Sequence, residues 1–240
     1  MPGRTYKILN RLIGKAIHRY DMITKGDRIA VGLSGGKDSL TLMWFLKERL
    51  KRVPVNYTLF PVYIDPGFKD GFATDLQKYC EKTWQTLRIE HTNCGILGHS
   101  PENRENPCFL CSKLRRKRFF EIAGELGCNK LALGHNKDDI IETLFLNMCY
   151  AGEISTMVPF QPLFQKRFTI IRPLAFADED TIRRFAKEIN FPDFVNPCPS
   201  AKNSKRSETK TLLKQLYNSN KKIKGNIFRA LSNVKTEYLL

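Results

Sequence analysis

The stretch "RIAVGLSGGKDSLTLMWFLKERL", residues 28–50, constrains the fold more than any other part of the chain. An apolar run, a Gly-rich turn and a second apolar run at helical spacing read as a buried strand feeding directly into a helix. Such a junction aims backbone N–H groups at an anion. Gly35 and Gly36 let the main chain approach closely, Ser34 and Ser39 bring hydroxyl donors, and Lys37 brings charge. The Walker A pattern fails, because Val31 stands at its first glycine and Asp38 follows the lysine; a dinucleotide GxGxxG is also absent. The loop is suited to a phosphate, but neither to a kinase-type P-loop nor to NAD.

Apolar runs alternate with amphipathic segments along the chain, which predicts βαβ units and an α/β fold with a parallel sheet. Strands are expected at 28–33, 55–64, 86–92, 130–135 and 168–174. Helices are expected at 40–50, 71–85, 112–126, 138–150, 178–190 and 206–217. Residues 93–111, rich in Gly, Pro and Asn, read as one long loop. The expected organisation is a basic helix over 1–24, the α/β domain over 25–200 and a basic helical extension over 201–240.

Charge adds a partner class. Forty Lys and Arg against 24 Asp and Glu leave a net charge of +16, which suits either a polyanionic partner or a merely soluble basic enzyme. The excess is clustered: Arg4, Lys7, Arg11, Lys15 and Arg19 near the start, "KLRRKR" at 113–118, and ten Lys or Arg from residue 201 onward. Three clusters favour nucleic acid. The first could pass for a transit peptide, yet Ile8, Leu12, Ile13, Ala16 and Ile17 recur at helical spacing, so it reads as a folded helix. No apolar run is long enough to span a membrane. Seven cysteines without a secretory signal favour reduced thiols and a cytosolic, cytoplasmic setting.

Three of those cysteines stand out. Cys108 and Cys111 form a CxxC in "NPCFLC", and Cys198 follows in "NPCPS". CxxC alone is compatible with zinc, an iron–sulfur cluster or dithiol redox chemistry. A closed zinc site wants four ligands, and no second CxxC or His pair completes one. Three cysteines suit a 4Fe-4S cluster with one iron left open. Cys80, Cys94, Cys128 and Cys149 read as structural thiols.

At "SGGKDS" the chain resembles the PP-loop N-type ATP pyrophosphatases, and across residues 5–215 it resembles the tRNA 2-thiocytidine synthetase family, TtcA. The stretches that carry the wider resemblance are 20–40, 107–153, 170–186 and the "NPC" around Cys198. The zinc-binding cysteine motifs of the thiouridine branch are absent, whereas a second cysteine common after the downstream one in thiocytidine synthetases is also missing from "CPSAKNSKR". The resemblance implies a tRNA sulfurtransferase. The C2 oxygen of an anticodon-loop cytidine, position 32, is adenylated by ATP with release of pyrophosphate; sulfide held at the open iron then displaces AMP.

The resemblance also implies roles for residues. Leu33, Ser34, Gly35, Gly36, Lys37, Asp38 and Ser39 hold the β and γ phosphates, with Mg²⁺ across them, and main chain at Ile64 meets adenine, with Asp65 near the adenosine. Gly134 and His135 flank the nucleotide, although His135 reads equally as a packed strand-end histidine. Asp138 and Asp139 hold the metal or act as general base; N-capping of the next helix is the plainer explanation of that pair. Arg115 stands where thiouridine relatives carry a catalytic lysine, and Lys37 is the principal cation. Cys108, Cys111 and Cys198 ligate the cluster. Phe119 and Phe120 read as core. A sulfur donor, either a cysteine desulfurase or free sulfide, and a homodimer complete the implied partners. The alternatives are a related PP-loop enzyme, zinc-bearing or clusterless, that thiolates or amidates another tRNA base, or a nucleotide-sensing RNA-binding module with a structural metal.

Overall fold

The computed structural model describes residues 3–201 and 204–238, which fall into two compact units. The first comprises residues 1–136 and 159–201. Its helices are α1 (Arg4–Arg19), α2 (Lys37–Leu50), α3 (Ala73–Thr83), α4 (Cys94–Gly98), α5 (Pro107–Glu125) and α7 (Glu179–Glu188). Its strands are β1 (Arg28–Leu33), β2 (Thr58–Asp65), β3 (Arg88–His91), β4 (Lys130–Leu133), β5 (Phe160–Leu163) and β6 (Phe168–Ile171). They form one sheet in the order β3-β2-β1-β4-β6-β5, parallel throughout except for the antiparallel β5–β6 pair.

The apolar strand runs follow from burial on both faces. Ile29, Val31 and Leu33 of β1 point into a core shared with α1, α2, α3 and α7, while Ala30 points into a second core under α5. On the first face Tyr6 stacks on Phe45, and Trp44 and Phe185 pack edge-on beside them. Leu9 and Ile13 of α1 are fully buried, each worth about 1.5–3 kcal/mol, so the basic N-terminal helix is docked by its apolar stripe. On the second face α5 lies so close that a Cβ at Gly32 would sit 3.2 Å from the Phe119 ring. Phe119 is buried and Phe120 packs against Phe164 and Phe168, so both serve the core.

The second unit comprises residues 137–158 and 202–240. It contains α6 (Lys137–Leu146), a π-helical turn at Asn147–Ala151, α8 (Lys205–Ser219) and α9 (Ile223–Ala230). A capping box between Ser204 and Ser207 starts α8.

Two expectations are corrected. The stretch 93–111 is not a loop: it holds α4, and α5 begins at Pro107 instead of residue 112, with Asn106 accepting from the N–H groups of Cys108 and Phe109. Asn as N-cap followed by proline at the first helical position pre-sets this start. The sheet also has a strand that periodicity missed, β5. Its Pro162 lies on the sheet edge, which tolerates a residue without an N–H.

Candidate active site

The strand order reverses direction at β1: the chain builds β2 and β3 to one side, then β4 and β6 to the other. Open α/β sheets bind ligands at such a switch point, outside the carboxyl ends of the strands. Here the crevice lies between the ends of β1 and β4, and both carry glycine turns. The loop after β1 is closed by its own hydroxyls. Ser39 Oγ donates to the Gly36 carbonyl at 2.9 Å and accepts from the Ser34 N–H at 3.1 Å, while Ser34 Oγ accepts from the Gly36 N–H at 3.4 Å. Gly35 has φ +73°, and a Cβ there would meet the Phe72 ring at 2.6 Å. No side chain caps α2, so its first N–H groups stay available to an anion.

Charge is stored at this helix start. Lys37 Nζ lies 2.7 Å from Asp38 Oδ2 and 3.1 Å from Glu179 Oε1. Burial alone would lower its pKa, but the two carboxylates outweigh that and raise it, so the ammonium is fixed in its charged form. Asn136 donates to the other oxygen of Asp38 at 3.0 Å. Gly134 is required by packing: a Cβ there would lie 2.9 Å from Ser39 N and 3.0 Å from Asp38 C.

Around the crevice, Ile64 is placed by register. Thr58 donates to Asp27 and Asp65 accepts from Thr92, so alternate residues of β2 face β1 and β3. Ile64 faces the β1 side one residue beyond the last pair, Leu33 with Tyr63, where its main chain borders the turn at Ser34. Asp65 is occupied in its own turn, accepting from the Gly67 N–H at 2.9 Å and meeting His91 Nδ1 at 3.1 Å. His135 Nδ1 accepts from Arg172 Nε at 3.3 Å, which leaves its ring proton on Nε2. Arg172, which the sequence reading passed over, is buried at the end of β6; burial and then the nearby Arg116 charge bring its pKa down to about 10. An arginine directly after a buried strand run was the available signal.

A second centre in the same unit gathers the thiols. Cys108 and Cys111 sit one turn apart at the start of α5, and Cys198 lies just before a 3-10 turn at Pro199–Ala201. The two "NPC" tripeptides are built alike: the Cys108 N–H donates to Asn106 Oδ1 at 3.0 Å and the Cys198 N–H to Asn196 Oδ1 at 3.1 Å. His99 ties the second to α4, its Nδ1–H donating to the Gly95 carbonyl at 2.9 Å and its Nε2 accepting from Ser200 Oγ at 2.8 Å. Cys111 lies within electrostatic reach of Cys198 and of Arg115.

Cys94 is buried in the core, as a structural thiol would be, and lies beside this centre. The neighbouring Cys111 thiol chiefly brings the Cys94 pKa down to about 6, against burial and with help from Thr92, Arg115 and the Gly95 N–H; the Cys111 pKa is raised in turn. Arg115 Nε is buried without a hydrogen-bond partner, one of two such side-chain atoms among the described residues. An orphaned guanidinium N–H beside thiols fits an anionic group in the space it faces. Among the described residues no three His, Cys, Asp or Glu side chains are gathered closely enough for a single ion.

Asp138 and Asp139 lie in the second unit, in the first turn of α6, where carboxylates favour the helix dipole. Asp138 Oδ1 lies 2.6 Å from Lys224 Nζ, and Asp139 Oδ1 lies 3.1 Å from Arg206 Nη1. Buried Glu142, one turn on, faces Arg206 and Lys210. The C-terminal basic residues thus spend part of their charge within their own unit.

The family described as a PP-loop domain matches residues 6–216. A tRNA-cytidine(32) 2-sulfurtransferase of Syntrophotalea carbinolica is 37% identical over 99% of this chain and 93% of that protein. The chain belongs to this PP-loop family of tRNA-cytidine(32) 2-sulfurtransferases. A second relative of the same name, from Geotalea daltonii, is 38% identical over 98% of this chain and 94% of its own length. Among solved structures, the U34-tRNA thiolase NcsA from Methanococcus maripaludis with its 4Fe-4S cluster superposes with a TM-score of 0.79 at 28% identity. That match covers 98% of this chain and 80% of NcsA.

Proposed function

We propose that this chain is an ATP-dependent tRNA sulfurtransferase that converts an anticodon-loop cytidine, position 32, to 2-thiocytidine. One observation carries the reading: a single unit holds both a phosphate loop at the sheet's switch point and a set of thiols beside an orphaned arginine. The relatives' names support the substrate.

The chemistry follows from leaving-group ability. Oxygen at C2 of cytosine departs poorly until it is esterified to AMP. The loop at 34–39 holds the β and γ phosphates, so that attack of the base oxygen on the α-phosphorus expels pyrophosphate. Lys37 exchanges its bonds to Asp38 and Glu179 for the phosphates and neutralises charge that builds up in the transition state. Main chain at Ile64 meets the adenine. Asp138 or Asp139 would hold a magnesium ion, which would neutralise phosphate charge. Cys108, Cys111 and Cys198 would hold a 4Fe-4S cluster, which when bound supplies an iron with an open position for sulfur. Arg115 directs its unpartnered N–H toward anionic charge at this centre. The basic residues of α1, α5, α8 and α9 meet tRNA phosphates, and the site of action is the cytoplasm. Among the described residues no helix is long and apolar enough to cross a membrane.

The test is anaerobic purification with iron, acid-labile sulfide and zinc analysis, followed by nucleoside mass spectrometry of tRNA incubated with ATP and sulfide. Close to four iron and four sulfide per chain, with ATP-dependent 2-thiocytidine, is the expected result, and Cys198→Ala is expected to lose the iron. Stoichiometric zinc with no iron after reconstitution, or no thiolated cytidine, overturns it.

A further inference from the structure

Beside the phosphate loop stands a carboxylate from another helix. Glu179 lies in the first turn of α7, three residues before the fully buried Ile182 on the same helical face. Phe185 packs on Phe45 of α2 with ring centroids 5.1 Å apart, which fixes α7 against the helix that the loop starts. The Glu179 side chain, 14% exposed, is therefore held at the loop's edge. One of its oxygens, Oε1, accepts from two cations, Lys37 Nζ at 3.1 Å and Arg183 Nη2 at 3.0 Å. Arg183 stands one turn further along α7 and stays with its own helix, whereas the Lys37 ammonium rides on a flexible four-carbon stem. When phosphates draw Lys37 away, Glu179 remains in place and faces them with one cation fewer.

We propose that Glu179 is a positioning residue for product release: acting through Lys37, it competes with pyrophosphate for the ammonium and takes it back as the pyrophosphate leaves. This role rests on the proposed seating of the ATP phosphates at the loop. A loop that binds triphosphate through backbone N–H groups and an ammonium holds pyrophosphate by the same contacts, and slow product release limits turnover in many enzymes. ATP has a further hold in the adenine contact at Ile64; pyrophosphate, once its bond to the α-phosphorus is broken, has only the loop. A carboxylate that reclaims the loop's principal cation therefore leaves the product weakly held while ATP still binds.

The experiment titrates pyrophosphate, with magnesium, into the full chain by calorimetry and compares wild type with three variants. Glu179→Gln keeps the shape of the side chain and removes the competing charge. Its pyrophosphate dissociation constant is expected to fall by about tenfold, the order expected when one opposing charge leaves a half-buried site. Pyrophosphate is then expected to inhibit ATP-dependent thiolation at a correspondingly lower concentration. Asp180→Asn makes the same change of charge one residue on, at a side chain 76% exposed that pairs with Arg183 at 2.7 Å. Because exposed charges are screened, it is expected to leave the constant within about twofold of wild type. Arg183→Gln leaves Glu179 to lean on Lys37 and is expected to weaken pyrophosphate binding severalfold. Damage to the fold weakens binding, so tighter binding by Glu179→Gln separates this role from a structural one; should that variant not fold, Arg183→Gln decides. Pyrophosphate bound no tighter by Glu179→Gln, an equal tightening by Asp180→Asn, or unchanged binding by Arg183→Gln overturns the proposal. A wild type that binds neither ATP nor pyrophosphate overturns the seating of the phosphates, and this role with it.

Discussion

Replacing Gly134 by alanine tests whether the crevice between β1 and β4 is the working site. The added methyl would lie 2.9 Å from Ser39 N, 3.0 Å from Asp38 C and 3.0 Å from Ser39 Cα. All three are backbone atoms of the first turn of α2, so no side chain can swing aside; strand and helix must separate by about half an ångström. Overpacking of this kind costs about 1–3 kcal/mol. Against a stability of about 5 kcal/mol or more, even the larger figure leaves roughly 97% of the chain folded. Function is expected to fall much further, because the displaced turn carries Lys37 and the phosphate-binding N–H groups. Misplacement on the order of an ångström costs about 100-fold in rate. The assay pairs urea denaturation with release of pyrophosphate from ATP in the presence of tRNA. Pyrophosphate release within twofold of wild type, from a variant destabilised as expected, would refute the placement of the ATP phosphates at this helix start.

Arg115→Gln separates binding from stability: losing a guanidinium N–H buried without a partner is expected to leave ligand-free stability unchanged or raise it by about 1 kcal/mol, while thiolation falls by about 100-fold or more. A clear loss of stability by thermal denaturation would assign Arg115 to the fold instead. Asp27 has its pKa lowered: burial would raise it, but the Lys130 ammonium, the Thr24 N–H and the Asn129 amide prevail. A depressed folded pKa gives stability that is complete above the unfolded value, 3.8, and is lost as pH falls through the lower folded value. The urea midpoint of wild type is therefore expected to drop below about pH 4, and Asp27→Asn, which strands the buried Lys130, to cost about 3–5 kcal/mol at neutral pH; a variant as stable as wild type at pH 7 would contradict this. Gly124→Ala near the end of α5 meets nothing within 4 Å and is expected to stabilise by about 0.5–1 kcal/mol in the same assay, in contrast to Gly134→Ala.

The phosphate loop, the parallel sheet and most helices were legible because each rests on local information: period-two or period-3.6 burial, and glycines at a strand-to-helix turn. The start of α5 was legible too, in Asn106 and Pro107, but the Gly, Pro and Asn content of 93–111 outweighed that cap signal. Strand β5 was hidden because Pro162 breaks a strand pattern, and only the finished sheet makes its position an edge.

What the sequence determined by itself was chemistry: three cysteines in distinctive contexts, a loop suited to phosphate, and enough surplus positive charge for a polyanion. What tertiary structure decided was partnership. Cys94 lies 17 positions before Cys111, and only the packing of α4 onto α5 sets both in one buried cluster. Arg172 and His135 meet because β4 and β6 are neighbours in the sheet, and Asp138 and Asp139 meet Lys224 of α9 and Arg206 of α8 through the fold. Local propensity acts over a few residues, whereas charge and thiol contacts act through space, and where the chain crosses itself is set by the packing of the whole core.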